Sequence, residues 1–142
     1  ILDMGIILMG APQGIQRVLR TDYGPDPRFA DNTVAVVEFA EGIGVFETSA
    51  MEVDPKRRIE IYGTRGSIIM HSIMPNEVDL CLEAAHEPYA AGWQTVPVGD
   101  RPMFSQDIVE FAAVISGQKE PEYSDEQTLL TQRTLLAICQ AD

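Results

Sequence analysis

A chain of 142 residues is the size of one domain and long enough to bury a core without disulfides or a structural metal. Its 45% hydrophobic content and even mix of residue types exclude disordered and fibrous classes. The 22 acidic against 10 basic residues give a formal charge of -12, which repels a phosphate backbone, and the nearest basic run is Lys56-Arg57-Arg58 beside Asp54.

Residues 1–9 read as a short helix, closed by Gly10-Ala11-Pro12 as a glycine C-cap with a following proline. The apolar run 1–11 is too short to span a bilayer, which takes about 20 residues. It carries Asp3 and no basic n-region, so it is no export signal either. The chain opens on Ile1 rather than Met, which leaves room for a longer natural protein. A strand is expected over 15–21, followed by a surface loop over 22–31, where Gly24-Pro25-Asp26-Pro27 sets turn geometry.

The organising stretch runs from 32 to 74. Strands are expected over 32–40 (NTVAVVEFA), 43–51 (IGVFETSAM), 57–62 (RRIEIY) and 67–72 (SIIMHS), with glycines at the joints, and consecutive antiparallel pairing is the simplest arrangement. Along the first of these Val34, Val36 and Glu38 alternate with Thr33, Ala35, Val37 and Phe39, so both faces are largely apolar. One face calls for helices and the other for a second layer or a partner subunit. Residues 78–84 follow, with Val78, Leu80, Leu82 and Ala84 inward and Asp79, Cys81 and Glu83 on a face in water. Residues 93–98 complete the strands, at an edge because Pro97 cannot donate to a ladder.

From 104 the period changes. Ile108, Phe111, Ala112 and Ile115 form the stripe of an amphipathic helix closed by Ser116-Gly117. A second helix starts at a capping box, Ser124-Asp125-Glu126-Gln127, and offers Leu129, Leu130, Leu135, Leu136 and Ile138 to a core. Helices on one face of an open, predominantly antiparallel sheet make an α+β domain spanning 1–142.

Cys81 and Cys139 belong to no Cys/His array, so neither a zinc site nor a disulfide framework is signalled, and both read as buried reduced thiols in a cytoplasmic protein. Gly42-Ile43-Gly44 sits at a hairpin mouth and Gly63 to Gly66 joins two strands, so neither forms the strand-turn-helix that cradles a pyrophosphate. His71 and His86 have no carboxylate or thiolate placed to share a metal, but His86, near Glu87, Tyr89 and Trp93, suits the edge of a polar pocket. Glu38, Glu47 and Glu60 would converge if three strands paired in register, although salt bridges to Lys56, Arg57 or Arg58 explain them more simply. Ser49, Ser67 and Ser105 lack a partnering His, so a Ser-His-Asp triad is not signalled.

These stretches together carry a resemblance. V-F-E-T-S at 45–49, I-E-I-Y-G-T-R-G-S-I-I at 59–69, W-x-x-V-P-V from Trp93, F-x-x-D-I-x-x-F-x-x-x-I-x-G ending at Gly117 and S-x-E-Q-x-L-x-x-Q from Ser124 are similar to the C-terminal domain of the glucose-fructose oxidoreductase and inositol dehydrogenase (Gfo/Idh/MocA) family. The resemblance implies an open antiparallel sheet that binds part of a sugar or polyol-like substrate and pairs with another subunit. It also implies a separate Rossmann domain that binds NAD or NADP, which these residues lack. The family's D-x-G-x-H motif aligns with Asp3-Met4-Gly5-Ile6-Ile7, so Asp3 is the catalytic residue carried over and Ile7 stands where the histidine would be. Asp3 as catalytic residue, with His86 and Trp93 as substrate contacts, is the expected site.

The expected function is therefore the substrate-binding and oligomerisation domain of an NAD(P)-dependent oxidoreductase, with no cofactor or metal held by this chain alone. The alternative is a stand-alone, non-enzymatic binding or scaffold module derived from that domain. The expected partners are a small sugar-like substrate and further copies of the chain, not nucleic acid or membrane.

Overall fold

The computed structural model describes residues 1–26, 28–53, 57–72, 76–99 and 105–139. Its elements run α1 (Leu2–Met9), β1 (Gly14–Arg20), β2 (Asn32–Phe39), β3 (Gly42–Ser49), β4 (Ile59–Gly63), β5 (Gly66–Met70), β6 (Glu77–Leu82), β7 (Gly92–Pro97), α2 (Ser105–Ile115) and α3 (Asp125–Cys139). The class is α+β with antiparallel strands, as the sequence pattern requires. The strands form two sheets, of order β1-β2-β3 and β4-β5-β6-β7, so the expected consecutive run is divided after β3. The chain correspondingly forms two compact units, Ile1–Val53 with Pro121–Asp142, and Asp54–Glu120.

In the first unit, β2 alternates in burial as its residues dictate. Ala35, Val37 and Phe39 face a core completed by Ile6 of α1 and Ile138 of α3. Val18, Val34, Ile43 and Val45 share the other face and are exposed. The loop between β1 and β2 closes on Asp31. Its carboxylate accepts backbone N–H groups from Asp22 at 2.9 Å, Tyr23 at 2.6 Å and Gly24 at 2.9 Å. Those donors stabilise the charged form and lower its pKa to about 2.

The second unit is a four-stranded meander and α2. Register puts Glu60, Ile69, Asp79 and Thr95 in one cross-strand row, with Tyr62, Ser67, Cys81 and Trp93 in the next. His71 Nε2 lies 2.9 Å from Asp79 Oδ2, while the Thr95 hydroxyl donates to Asp79 Oδ1 at 3.1 Å. Those contacts, with His71 first, hold the Asp79 carboxyl below the usual range.

Several expectations are corrected. In α3 the buried side chains are Thr134 and Ile138, with Leu130 partly buried, whereas Leu129, Leu135 and Leu136 are exposed. Spacing of four along one side decides this, and burial of Thr134 is permitted because its hydroxyl donates to Leu130 O at 2.8 Å. Cys139, one residue round the helix from Ile138, is exposed rather than buried, and Cys81 is half-buried. The α2 stripe is not a core face here: Ile108, Phe111 and Ile115 are 68%, 67% and 70% exposed. Strand β6 shows no wet and dry alternation, since Val78 to Leu82 are all half-buried. Glu38, Glu47 and Glu60 do not form one cross-strand set: β2 pairs with β3 and β4 with β5, and Glu60 is paired with Arg58 of its own segment at 2.5 Å. Lys56 lies outside the described residues. Among the described residues no helix is long and apolar enough to cross a membrane.

Candidate functional site

The short helix α1 is positioned by the absence of side chains. A Cβ on Gly5 would lie 2.6 Å from Phe46 Cζ, and one on Gly44 would lie 2.8 Å from Phe46 Cε2. The ring of Phe46 on β3 therefore occupies the space that two glycines leave, and the helix settles on the sheet at that point. Leu2, Ile6 and Met9 turn to the core along with Gly5, at helical spacings of three and four. Asp3, Met4 and Ile7 consequently face another way, toward α3.

Helix α3 meets them with its polar side. Ser124 caps its N-terminus, accepting the Gln127 N–H on Oγ at 3.2 Å, as the capping-box pattern predicts. This fixes the first turns, where Gln127 and Thr131 lie on one line and Thr128 and Gln132 on the next. With Tyr123 these four and the three α1 residues enclose a cleft of about 310 Å³.

The chemistry of the cleft is that of one carboxylate among neutral hydrogen-bonding groups. Asp3 Oδ1 is 3.0 Å from the Ile1 nitrogen, and that contact is the first cause of its lowered pKa. Thr131 donates its hydroxyl to Gln127 O at 3.1 Å, leaving the oxygen to accept. The Gln127 and Gln132 amides each donate and accept. Met4 and Ile7 add an apolar wall. Such a set suits a ligand bearing several hydroxyls on a carbon skeleton, and Ile7 brings no titratable group to it.

Of the residues singled out from sequence, Asp3 is in this cleft. His86 and Trp93 belong to the second unit. His86 lines a cavity of about 450 Å³ beside the β4–β5 hairpin, and its backbone pairs with that of Tyr89. Trp93 stands on β7 opposite Cys81 and is 62% exposed. Sequence reasoning did not select Tyr123, Gln127, Thr128, Thr131 or Gln132 as site residues. The available signal was a polar line of Gln and Thr at spacing four directly after the helix cap.

The full chain, residues 1–142, matches the family described as Oxidoreductase family, C-terminal alpha/beta domain. The chain belongs to this family. No curated protein matches it in sequence. Solved structures share the fold of this oxidoreductase C-terminal domain at low identity. UDP-N-acetylglucosamine 3-dehydrogenase GnnA from Acidithiobacillus ferrooxidans is 18% identical with a TM-score of 0.79, over 96% of this chain and 44% of that one. Biliverdin reductase from Synechocystis sp. PCC 6803, in complex with biliverdin and NADP+, is 17% identical with a TM-score of 0.72, over 98% and 43%. Levoglucosan dehydrogenase, in complex with NADH and levoglucosan, is 20% identical with a TM-score of 0.72, over 98% and 44%. The chain thus spans less than half the length of these structures.

A nicotinamide dinucleotide does not fit the glycine pairs of this domain. Gly42 and Gly44 lie on β3, which pairs with β2 from Phe39 onward, and Gly63 and Gly66 face each other across the β4–β5 hairpin. Neither pair opens onto a helix N-terminus, where a pyrophosphate is held.

Proposed function

We propose that this chain is the substrate-binding half of an NAD(P)-dependent oxidoreductase acting on a sugar or polyol-like substrate in the cytoplasm, catalytically incomplete without a nucleotide-binding domain. The observation that carries the reading is Asp3, the aspartate of the family motif, at a cleft that faces it with the amides and hydroxyls of α3 beside the apolar Met4 and Ile7. The names of two relatives, acting on UDP-N-acetylglucosamine and levoglucosan, support a sugar substrate, and the NADP+ and NADH complexes support the cofactor.

In this reading Asp3 accepts a hydrogen bond from a substrate hydroxyl and fixes its orientation, while Gln127, Thr128 and Gln132 hold its neighbours. Hydride transfer needs the nicotinamide within about 3 to 3.5 Å of the substrate carbon, a position supplied from outside these residues. If further residues precede Ile1, its nitrogen is an amide, and it still offers Asp3 a donor. The exposed apolar face of β1–β3, bearing Val18, Val34, Ile43 and Val45, is where further copies of the chain would pair.

The test is steady-state kinetics on the chain joined to its nucleotide domain, with NAD+ and NADP+ against a sugar and polyol panel. Asp3→Asn is expected to lower kcat/KM by about 100-fold or more. An unchanged kcat/KM removes Asp3 from the mechanism. Saturable, micromolar NADH binding by the 142 residues alone would refute the division of labour proposed here.

A second reading, a non-enzymatic binding module, is favoured by Ile7 at the histidine position. It predicts sugar binding without turnover, with Asp3→Asn changing the dissociation constant only.

A further inference from the structure

The larger cavity, in the second unit, is built from a missing side chain. On one face of the four-stranded sheet Ile61, Ile68 and Leu80 form a cross-strand row, and the next row is Gly63, Gly66 and Leu82. The two glycines are not equivalent. A Cβ on Gly66 would lie 2.4 Å from Cys81 O and 3.0 Å from Leu82 Cδ2, so that position is filled by its neighbours. A Cβ on Gly63 would meet nothing nearer than Gly66 O, at an ordinary 3.5 Å, and its backbone is not in the left-handed region. The space above Gly63 is open, and it continues into a cavity of about 450 Å³. That is within the roughly 300 to 1,000 Å³ of small-molecule sites.

The rim carries charge. Arg65, at the hairpin tip, accepts the Glu83 N–H on its carbonyl at 3.0 Å, which ties the segment after β6 to the hairpin. Its guanidinium is exposed and has no partner among the described residues. The imidazole of His86 adds a second nitrogen donor to the lining, and Glu83 is the one acid there. In a chain of formal charge -12, this is a concavity where Arg65 offsets the one acid, Glu83.

We propose that this notch binds small amphipathic monocarboxylates. The apolar body lies over Gly63 against Ile61, Ile68, Leu80 and Leu82, and the carboxylate meets the planar donor fork of Arg65. Glu83 disfavours a second negative charge on the ligand, which is why one carboxylate and not a phosphate or a dicarboxylate fits. The cavity does not depend on the cleft between α1 and α3, so this proposal stands or falls separately from the oxidoreductase reading.

The test is a titration of the 142-residue chain with 4-phenylbutyrate, followed by amide NMR shifts. Saturable binding with a dissociation constant of about 0.1 to 1 mM is expected, with shifts centred on Gly63, Gly66 and Leu82. Gly63→Val, which fills the open space, should weaken binding at least tenfold. Arg65→Gln should weaken the carboxylate about tenfold and leave the neutral analogue 4-phenylbutanol unaffected. Shifts centred elsewhere, or a folded Gly63→Val protein that binds like the parent, overturn the proposal. Should Gly63→Val lose its amide dispersion, Arg65→Gln at the exposed tip decides alone, and unchanged affinity there overturns it as well.

Discussion

The two units of the chain have similar strands and very different interiors. Of the described residues, the side chains shielded from solvent, Ile6, Ala35, Val37, Phe39, Thr134 and Ile138, all lie in the unit built from α1, β1–β3 and α3. Among the described residues of the unit built from β4–β7 and α2, none is buried. Apolar content does not explain the contrast, since β5 reads Gly-Ser-Ile-Ile-Met over Gly66–Met70. Layering does: a sheet with helices laid on one face excludes water from that face, while ladder hydrogen bonds alone leave every side chain half wet. The first unit therefore holds its shape by packing, and the second by its ladders and cross-strand contacts.

Substitutions should feel this difference in order of burial. The largest effect is expected for Phe39→Ala, about 3 to 5 kcal/mol by urea denaturation read through amide exchange of β2, because a buried ring leaves a cavity. A loss below about 1 kcal/mol would erase the distinction between the units. Gly5→Ala comes next, at about 1 to 2 kcal/mol, since its Cβ would stand 2.6 Å from Phe46 Cζ. In a Phe46→Ala background the same change should become neutral or mildly stabilising, because alanine is the better helix former. Ser124→Ala removes a helix cap and should cost about 1 kcal/mol. The smallest effect belongs to the second unit: Ile108→Ser, on the exposed stripe of α2, should stay within about 0.5 kcal/mol in the isolated chain.

The two units also differ in how they use a half-buried carboxylate, and pH separates them. Asp31 is held at about 2 by three backbone donors, below its ordinary 3.8. Because the folded value is the lower one, its stabilisation of the β1–β2 loop is complete above about 3.8 and is lost as pH falls through about 2. Carboxyl NMR titration should place the Asp31 midpoint there, and Asp31→Asn should release the Asp22, Tyr23 and Gly24 amides to faster exchange. Asp79 is lowered chiefly through His71, so His71→Ala should bring it back toward the ordinary value. A backbone-held group such as Asp31 should show no such response to removal of one side chain.

Element type was legible in the sequence because local chemistry sets it. Gly10 ends α1 with its N–H on Ile6 O at 2.8 Å, Pro97 closes β7, and Ser124 starts α3. The division into two sheets was not legible, because the ladders say which strands pair and the alternation within β3 and β4 is the same in either arrangement. The buried line of α3 was misread because Leu135 and Leu136 outweigh Thr134 by hydrophobicity, yet Thr134 satisfies its own hydroxyl and lies on the line of Leu130 and Ile138. Of the candidate cleft, Asp3 was accessible through the family motif. The polar residues of α3 come from the opposite end of the sequence, and their placement beside α1 follows from the packing of Gly5 on Phe46.

That packing has a spectroscopic use. The edge of a phenyl ring faces the α-carbon of Gly5, so its ring current shifts the resonance of the proton on that side, and displacing the helix by about an ångström or two would reduce that shift. The Gly5 methylene resonances are thus a built-in gauge of how firmly α1 is seated on the sheet, readable without any added probe.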